Sequence, residues 1–144
     1  MIKYSVSSKV IDDIYKIVKV YDKLSVDTLT CTFHGFQTEN LMYLFYPKLL
    51  KKIMPLNNLS EKISNLHYIK YNKGGYQVGH SHENSEEKSF IVYLNDSDGC
   101  TVLGDPINKK IKPKKGKVIM FDSFIHHHAE KSYKGKEVLV GSIS

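Results

Sequence analysis

From residue 66 onward the chain alternates short runs of β-branched and aromatic residues with turn-forming clusters, and this punctuation limits the fold more than any other feature. The runs are "LHYIKY", "YQVGHSH", "SFIVYLN", "CTVLGD", "KKIKP", "KVIMFD", "FIHHHAE" and "EVLVGSI"; between them stand "NKGG", "ENSEE", "DSDG", "DPIN" and "KKGK". Eight short strands in about 80 residues predict a mainly β jelly roll, a double-stranded β-helix. The first 65 residues read differently. "VIDDIYKIVKVYDKL" (10–24) sets Val10, Ile14, Ile17, Val18 and Tyr21 at helical spacing. "TENLMYLFYPKLLKKIM" (38–54) predicts a second helix, with Thr38 or Asn40 as its cap and Pro47 as a break or kink. "DTLTCTFHGFQ" (27–37) alternates like a strand. The expectation is one domain over residues 1–144, in which a helical segment (1–65) supports one outer face of a β-helix core (66–144).

Composition narrows the function classes. Hydrophobic residues make up 41% and charged residues 25%, ordinary values for a globular chain. No apolar stretch approaches the roughly 18 to 20 residues needed to cross a bilayer. The opening "MIKYSVSSKVIDDIYK" has acids and lysines where a signal peptide has its apolar core. Two cysteines, Cys31 and Cys100, are too few for a disulfide scaffold. A cytoplasmic location is expected, that of the host cell if the source is viral. The formal charge is +6, and all 21 basic residues are lysine. Without arginine, the usual bidentate reader of phosphates and bases, sequence-specific nucleic-acid binding is not expected. The lysine excess, with many Asn, Ile and Tyr, fits the codon bias of an AT-rich genome, bacterial or viral. "KKIKPKKGK" (109–117) reads as a solvated hairpin turned by Pro113 and Gly116, the alternative being a contact for an acidic partner or a nucleic-acid backbone.

The chemistry-bearing residues are histidines. Alternate residues of a strand project to one face, so on a strand His80 and His82 aim into the same space, as two cis ligands of one metal must. Imidazole suits iron, zinc, copper and nickel. One of His126, His127 and His128 could complete the site; parity sends His127 one way and its neighbours the other. The competing readings are surface histidines and a solvated histidine run. Against the second, the run follows "PKKGKVIMFDSF", a turn feeding a strand of buried character.

Taken in order, "YNKGGYQVGHSH", "SFIVYLN", "DGCTVLGDP", "IKPKKGKVIMFDSFIHHHAE" and "GKEVLVGSIS" resemble the Fe(II)- and 2-oxoglutarate-dependent dioxygenases of the prolyl-hydroxylase type, and more narrowly a subgroup from bacteria and phages. The resemblance covers residues 68–144. It implies a hydroxylase that uses Fe(II), 2-oxoglutarate and dioxygen, converting the cosubstrate to succinate and carbon dioxide. It implies His80 and His127 as metal ligands. It places Lys136 and Tyr93 on the far carboxylate of 2-oxoglutarate and Tyr71 near the cosubstrate. The usual His-X-Asp motif is replaced here by His80-Ser81-His82, so His82 stands where the family has its carboxylate ligand; Glu86 is the alternative.

Glu86 also spells a second reading. His80, His82, Glu86 and a later histidine match the metal motif of the cupins, which share the jelly-roll architecture and range from thiol dioxygenases and isomerases to binding modules. That reading leaves Tyr93-Leu94-Asn95 and Lys136 unexplained. The substrate, peptidyl or small-molecule, is not identified by any motif, and the chain is compatible with a monomer or a homodimer. His34 and His67 carry no partner pattern and read as structural or exposed; Cys100 reads as a small packed residue.

Overall fold

A computed structural model describes residues 1–23, 32–81 and 87–144. Among the described residues nine strands run in the order β1 (Ile2–Ser5), β2 (Thr32–Gln37), β3 (Ile63–His80), β4 (Lys88–Tyr93), β5 (Thr101–Leu103), β6 (Lys109–Ile111), β7 (Lys117–Asp122), β8 (His127–Ser132) and β9 (Lys136–Ile143). Three α-helices, α1 (Ser8–Val18), α2 (Met42–Phe45) and α3 (Lys48–Ile53), precede β3. All strand pairs are antiparallel, and the sheet order is β1-β7-β4-β9-β3-β8-β5-β6, with β2 added to β3. The mainly β, jelly-roll architecture expected from the strand punctuation is the one observed.

The long strand β3 makes the barrel. Its first part pairs with β9, from Ile63 opposite Ile143 to Tyr71 opposite Lys136; its last part pairs with β8, from Gly75 opposite Ser132 to His80 opposite His127. One strand therefore belongs to both walls. "LHYIKY" and "YQVGHSH" are not two strands with a turn at "NKGG", as the sequence suggested, but one. Gly74 has a positive φ, and a Cβ on Gly75 would meet the Asn72 and His34 carbonyls. The glycines bend a continuous strand where it changes partner. Strand β8 begins at His127, later than "FIHHHAE" implies, because residues 123–126 form the turn that leaves β7.

Burial on both sides explains the near-continuous apolar runs. Phe90, Val92 and Leu94 of the β4 region, Val118 and Met120 of β7, Leu66 and Tyr68 of β3, and Leu139 and Ile143 of β9 cluster with Ile11, Ile14 and Val18 of α1 and Leu50 and Ile53 of α3. The alternate residues Ile69, Tyr93, Ile119, Phe121 and Val138 form a second cluster on the other face of the same strands, inside the barrel. Helix α1 starts at Ser8 rather than Val10, with Ser7 Oγ accepting from the Val10 N–H at 3.3 Å. The second predicted helix is split at Pro47, which cannot supply the N–H a continuous helix needs. Asn40 Oδ1 accepts from Met42 N–H and also from Leu66 N–H, both at 3.0 Å, tying the start of α2 to β3. Thr38 instead accepts from Tyr68 N–H. Residues 1–65 add strands as well as helices: β1 pairs with β7, a pairing with no signal in the four residues "IKYS", and β2 pairs with β3. Residues 27–31 of the strand predicted over 27–37 lie outside the described residues. No described helix is long and apolar enough to cross a membrane.

Candidate functional site

His80 ends β3 and His127 begins β8, and the two are direct cross-strand partners. Their ring centroids are 4.1 Å apart with planes at 64°. Each Nδ1 sits against the backbone carbonyl two residues earlier, His127 on Ile125 O at 2.7 Å and His80 on Val78 O at 3.2 Å. A carbonyl only accepts, so Nδ1 carries the hydrogen in both rings and Nε2 carries the lone pair, the arrangement of a ligating imidazole. The Phe121 ring packs against His127 at 5.0 Å and fixes its orientation. His127 is buried, while His126 is exposed and lies over Gly79, where a Cβ would run into its ring. His128 is half-buried.

The structure thus brings together two of the three predicted metal ligands. His82, with Glu83 and Glu86, lies outside the described residues, and β3 stops at His80, so the parity argument for His82 does not extend along an observed strand. Among the described residues no group of three or more potential metal ligands gathers.

Deeper in the barrel stands Lys136, only 2% exposed. Its Nζ donates to Gly99 O at 2.7 Å and lies 4.7 Å from the centroid of the Tyr71 ring, its cross-strand partner. Among the described residues no carboxylate lies within ion-pair distance of it. Burial pulls its ammonium down to about 8, against which the more distant charges of Cys100, Asp98 and Glu130 push weakly. Tyr93 is fully buried, its hydroxyl 2.6 Å from that of Thr101. Burial raises the phenols of Tyr71 and Tyr93 well above the usual tyrosine range, so both remain hydrogen-bond donors. Gly99 is held in place by its neighbour. Asp98 accepts from Ser132 Oγ and from the N–H groups of Tyr133 and Lys134 at the β8–β9 turn, and those bonds, Lys134's the strongest, hold its carboxyl at about 2.

Two cavities connect these groups. One of about 300 Å³ contains both His80 and His127 on its lining. A narrow one of about 20 Å³ lies beside Lys136, Tyr71 and Thr101. Gln77, Ile91, His127 and Val140 line both, so the histidine pair stands between an open mouth and a cationic floor. Gln77 and Thr101 carried no signal in the sequence reading. Gln77 escapes parity because β3 bulges there: Gln77 faces Ala129 and His80 faces His127, three steps on one strand against two on the other. His67, read as structural or exposed, is half-buried on the wall of the larger cavity, its Nδ1 2.8 Å from Thr38 O.

This architecture recurs in solved proteins. A viral collagen prolyl hydroxylase from Paramecium bursaria Chlorella virus-1, solved as a 2-oxoglutarate complex, matches with a TM-score of 0.70 at 19% identity, over 99% of this chain and 94% of that one. The chain has the prolyl-hydroxylase-type fold. The prolyl hydroxylase of Trichoplax adhaerens, solved with a peptide of hypoxia inducible factor, gives a TM-score of 0.71 at 12% identity, over 99% of this chain and 82% of that one. HygX from Streptomyces hygroscopicus, with nickel and 2-oxoglutarate bound, gives 0.71 at 11% identity over 98% and 81%. No protein-family model and no curated protein sequence matches the chain. The prolyl-hydroxylase-type likeness spans the N-terminal helices as well as residues 68–144, which alone carried the resemblance in sequence.

Proposed function

We propose that the chain is an Fe(II)- and 2-oxoglutarate-dependent oxygenase that hydroxylates a peptidyl or small-molecule substrate. One observation carries this reading: a buried lysine without a counter-ion shares a barrel lumen with a pair of histidines whose Nε2 lone pairs are set for a metal. An ammonium removed from water with only a carbonyl and an aromatic ring for company is costly, and it asks for an anion. A dicarboxylate whose other end reaches the histidines supplies one, and the nickel- and 2-oxoglutarate-bound HygX and the viral 2-oxoglutarate complex share the fold.

The residues fit the groups. His80 and His127 would hold the iron, with His82 as the third ligand. Lys136 would bind the far carboxylate through a charge-assisted bond, with the Tyr93 hydroxyl beside it and the Tyr71 ring against the lysine. Iron and 2-oxoglutarate, when bound, supply the oxidation, with succinate and carbon dioxide as co-products. The chain orients the cosubstrate, keeps its charged end dry, and sets the Lys136 ammonium against it. The cavity of about 20 Å³ beside Lys136 holds no more than a water, so cosubstrate entry must displace lining side chains, and Gln77, present on both cavities, stands in the path.

Anaerobic titration of the iron-loaded protein with 2-oxoglutarate tests the proposal. A weak visible charge-transfer band should appear, and admission of oxygen should release succinate in step with 2-oxoglutarate consumed. No band and no succinate would end it; oxygen-dependent turnover indifferent to 2-oxoglutarate would favour a cupin-type enzyme.

A further inference from the structure

The larger cavity has a wall with a pattern of its own. Asn65 of β3 faces Ser142 of β9, and Ser142 faces Ser89 of β4, so three neutral polar residues stand in one row across three adjacent strands. All three line the cavity that holds His80 and His127. The next row on the same face, His67–Val140–Ile91, keeps one polar residue, and Ile69–Val138–Tyr93 below it is the last before the floor at Lys136. Barrel interiors are apolar unless something polar is to be held there.

Ser142 makes the point sharply. The residue is 5% exposed, yet its hydroxyl makes no hydrogen bond to any described residue. No fully buried side-chain polar atom among the described residues lacks a partner, so this hydroxyl must open onto the cavity. Ser89 Oγ, beside it, is 2.7 Å from Ser123 Oγ. His67, one row deeper, presents an Nε2 lone pair, because Thr38 O takes its Nδ1 hydrogen. The wall therefore offers both donors and acceptors.

Charge is the second half of the argument. In a chain with 21 lysines, no described lysine lines this cavity. The positive charge this end would carry is that of a metal on His80 and His127. The lysine sits at the other end of the lumen, at Lys136.

We infer that the Asn65–Ser142–Ser89 row is the substrate-recognition wall, and that it takes an uncharged hydrogen-bonding group, such as a carboxamide, in preference to an apolar chain. The inference rests on the oxygenase reading for its direction: cosubstrate at the lysine end, substrate at the mouth. The two ends of the lumen ask for different groups: at the floor a neutral amide would leave Lys136 without a counter-ion, and at the mouth an apolar chain would leave the Ser142 hydroxyl without a partner.

Two near-isosteric probes test this: the N-acetyl methylamides of glutamine and methionine, titrated against the full chain with and without Zn(II), with amide shifts followed by NMR. The glutamine probe should bind the tighter and shift residues 65, 89 and 142. Ser142→Ala should weaken the glutamine probe about three- to tenfold and leave the methionine probe unchanged; Asn65→Ala gives an independent second reading if the first variant misfolds. Equal affinity for the two probes, absent binding of both, or a lead for the methionine probe overturns the inference. Binding of 2-oxoglutarate to the unaltered protein is measured alongside. Its absence would count against the oxygenase proposal, whereas the order of the probes judges the wall alone.

Discussion

Lys136 and Glu137 are neighbours of opposite charge that never meet. Strand alternation sends Lys136 into the lumen and Glu137 to the helix-covered face of β9. There the two oxygens of Glu137 each accept from a tyrosine, Tyr15 at 2.8 Å and Tyr68 at 2.5 Å. Lys136 has one carbonyl and one ring. The contrast holds for the faces as wholes. The outer face of β3, β4, β7 and β9 is largely apolar, covered by α1 and α3, and on it both oxygens of Glu137 are hydrogen-bonded. The inner face runs from neutral polar groups through aliphatic ones to a cation without a counter-ion. One sheet thus keeps its stability on one side and leaves the other under-satisfied, as expected where a ligand completes the structure.

Truncation on the outer face should break this division of labour most visibly. Phe90 is fully buried, and its ring fills the space over Gly141, where any Cβ would collide with it. Phe90→Ala should cost about 3–5 kcal/mol of stability in urea denaturation, through lost burial and the cavity left behind. On the inner face, His127→Ala should lower metal affinity at least about a hundredfold by calorimetry, while unfolding free energy falls by only about 1 kcal/mol, the worth of its contact with Phe121. Equal stability losses for the two variants would show that the faces are not specialised.

Lys136→Met sharpens the comparison, because its two effects should have opposite signs. Replacing a buried, unpaired ammonium by an apolar side chain of similar length should raise stability by about 2 kcal/mol in the same denaturation series. Affinity for 2-oxoglutarate should drop, by calorimetry, with metal binding retained. A variant that is destabilised and still binds the cosubstrate would mean that Lys136 belongs to the packing.

What could be read in the sequence followed from period-2 alternation. Runs such as "SFIVYLN" and "KVIMFD" kept their parity, and with it the pairing of inner Tyr93 with outer Val92 and of inner Phe121 with outer Met120. Alternation fails where strands bend. The glycines at 74–75 imitate a turn inside β3, and the bulge between Gln77 and His80 puts residues of unlike parity on one cavity. Parity could separate His127 from its neighbours but could not say which side was the lumen; that follows from the register with His80. Lys136 is one of 21 lysines and no compositional signal marks it; only resemblance pointed there. The Asn65–Ser142–Ser89 row is invisible in the chain because its members lie 24 to 77 positions apart, and only the register makes them neighbours.

The effect most specific to the inner face is its dependence on pH. The unfolded chain holds a proton on Lys136 up to the ordinary lysine value of 10.5, whereas the folded chain releases it near 8. Between those values the unfolded state binds more protons, so stability attributable to Lys136 should rise with pH, by at most about 1.4 kcal/mol per unit, and should level off on either side. Cosubstrate affinity should move the other way. Binding a carboxylate requires the ammonium, so above pH 8 each 2-oxoglutarate must bring a proton with it, and affinity should fall by up to about tenfold per unit while calorimetry in buffers of differing ionisation heat shows proton uptake. Lys136→Met should abolish both slopes. Slopes that persist in the variant would place the titrating group elsewhere, and the buried lysine would lose its claim to the cosubstrate.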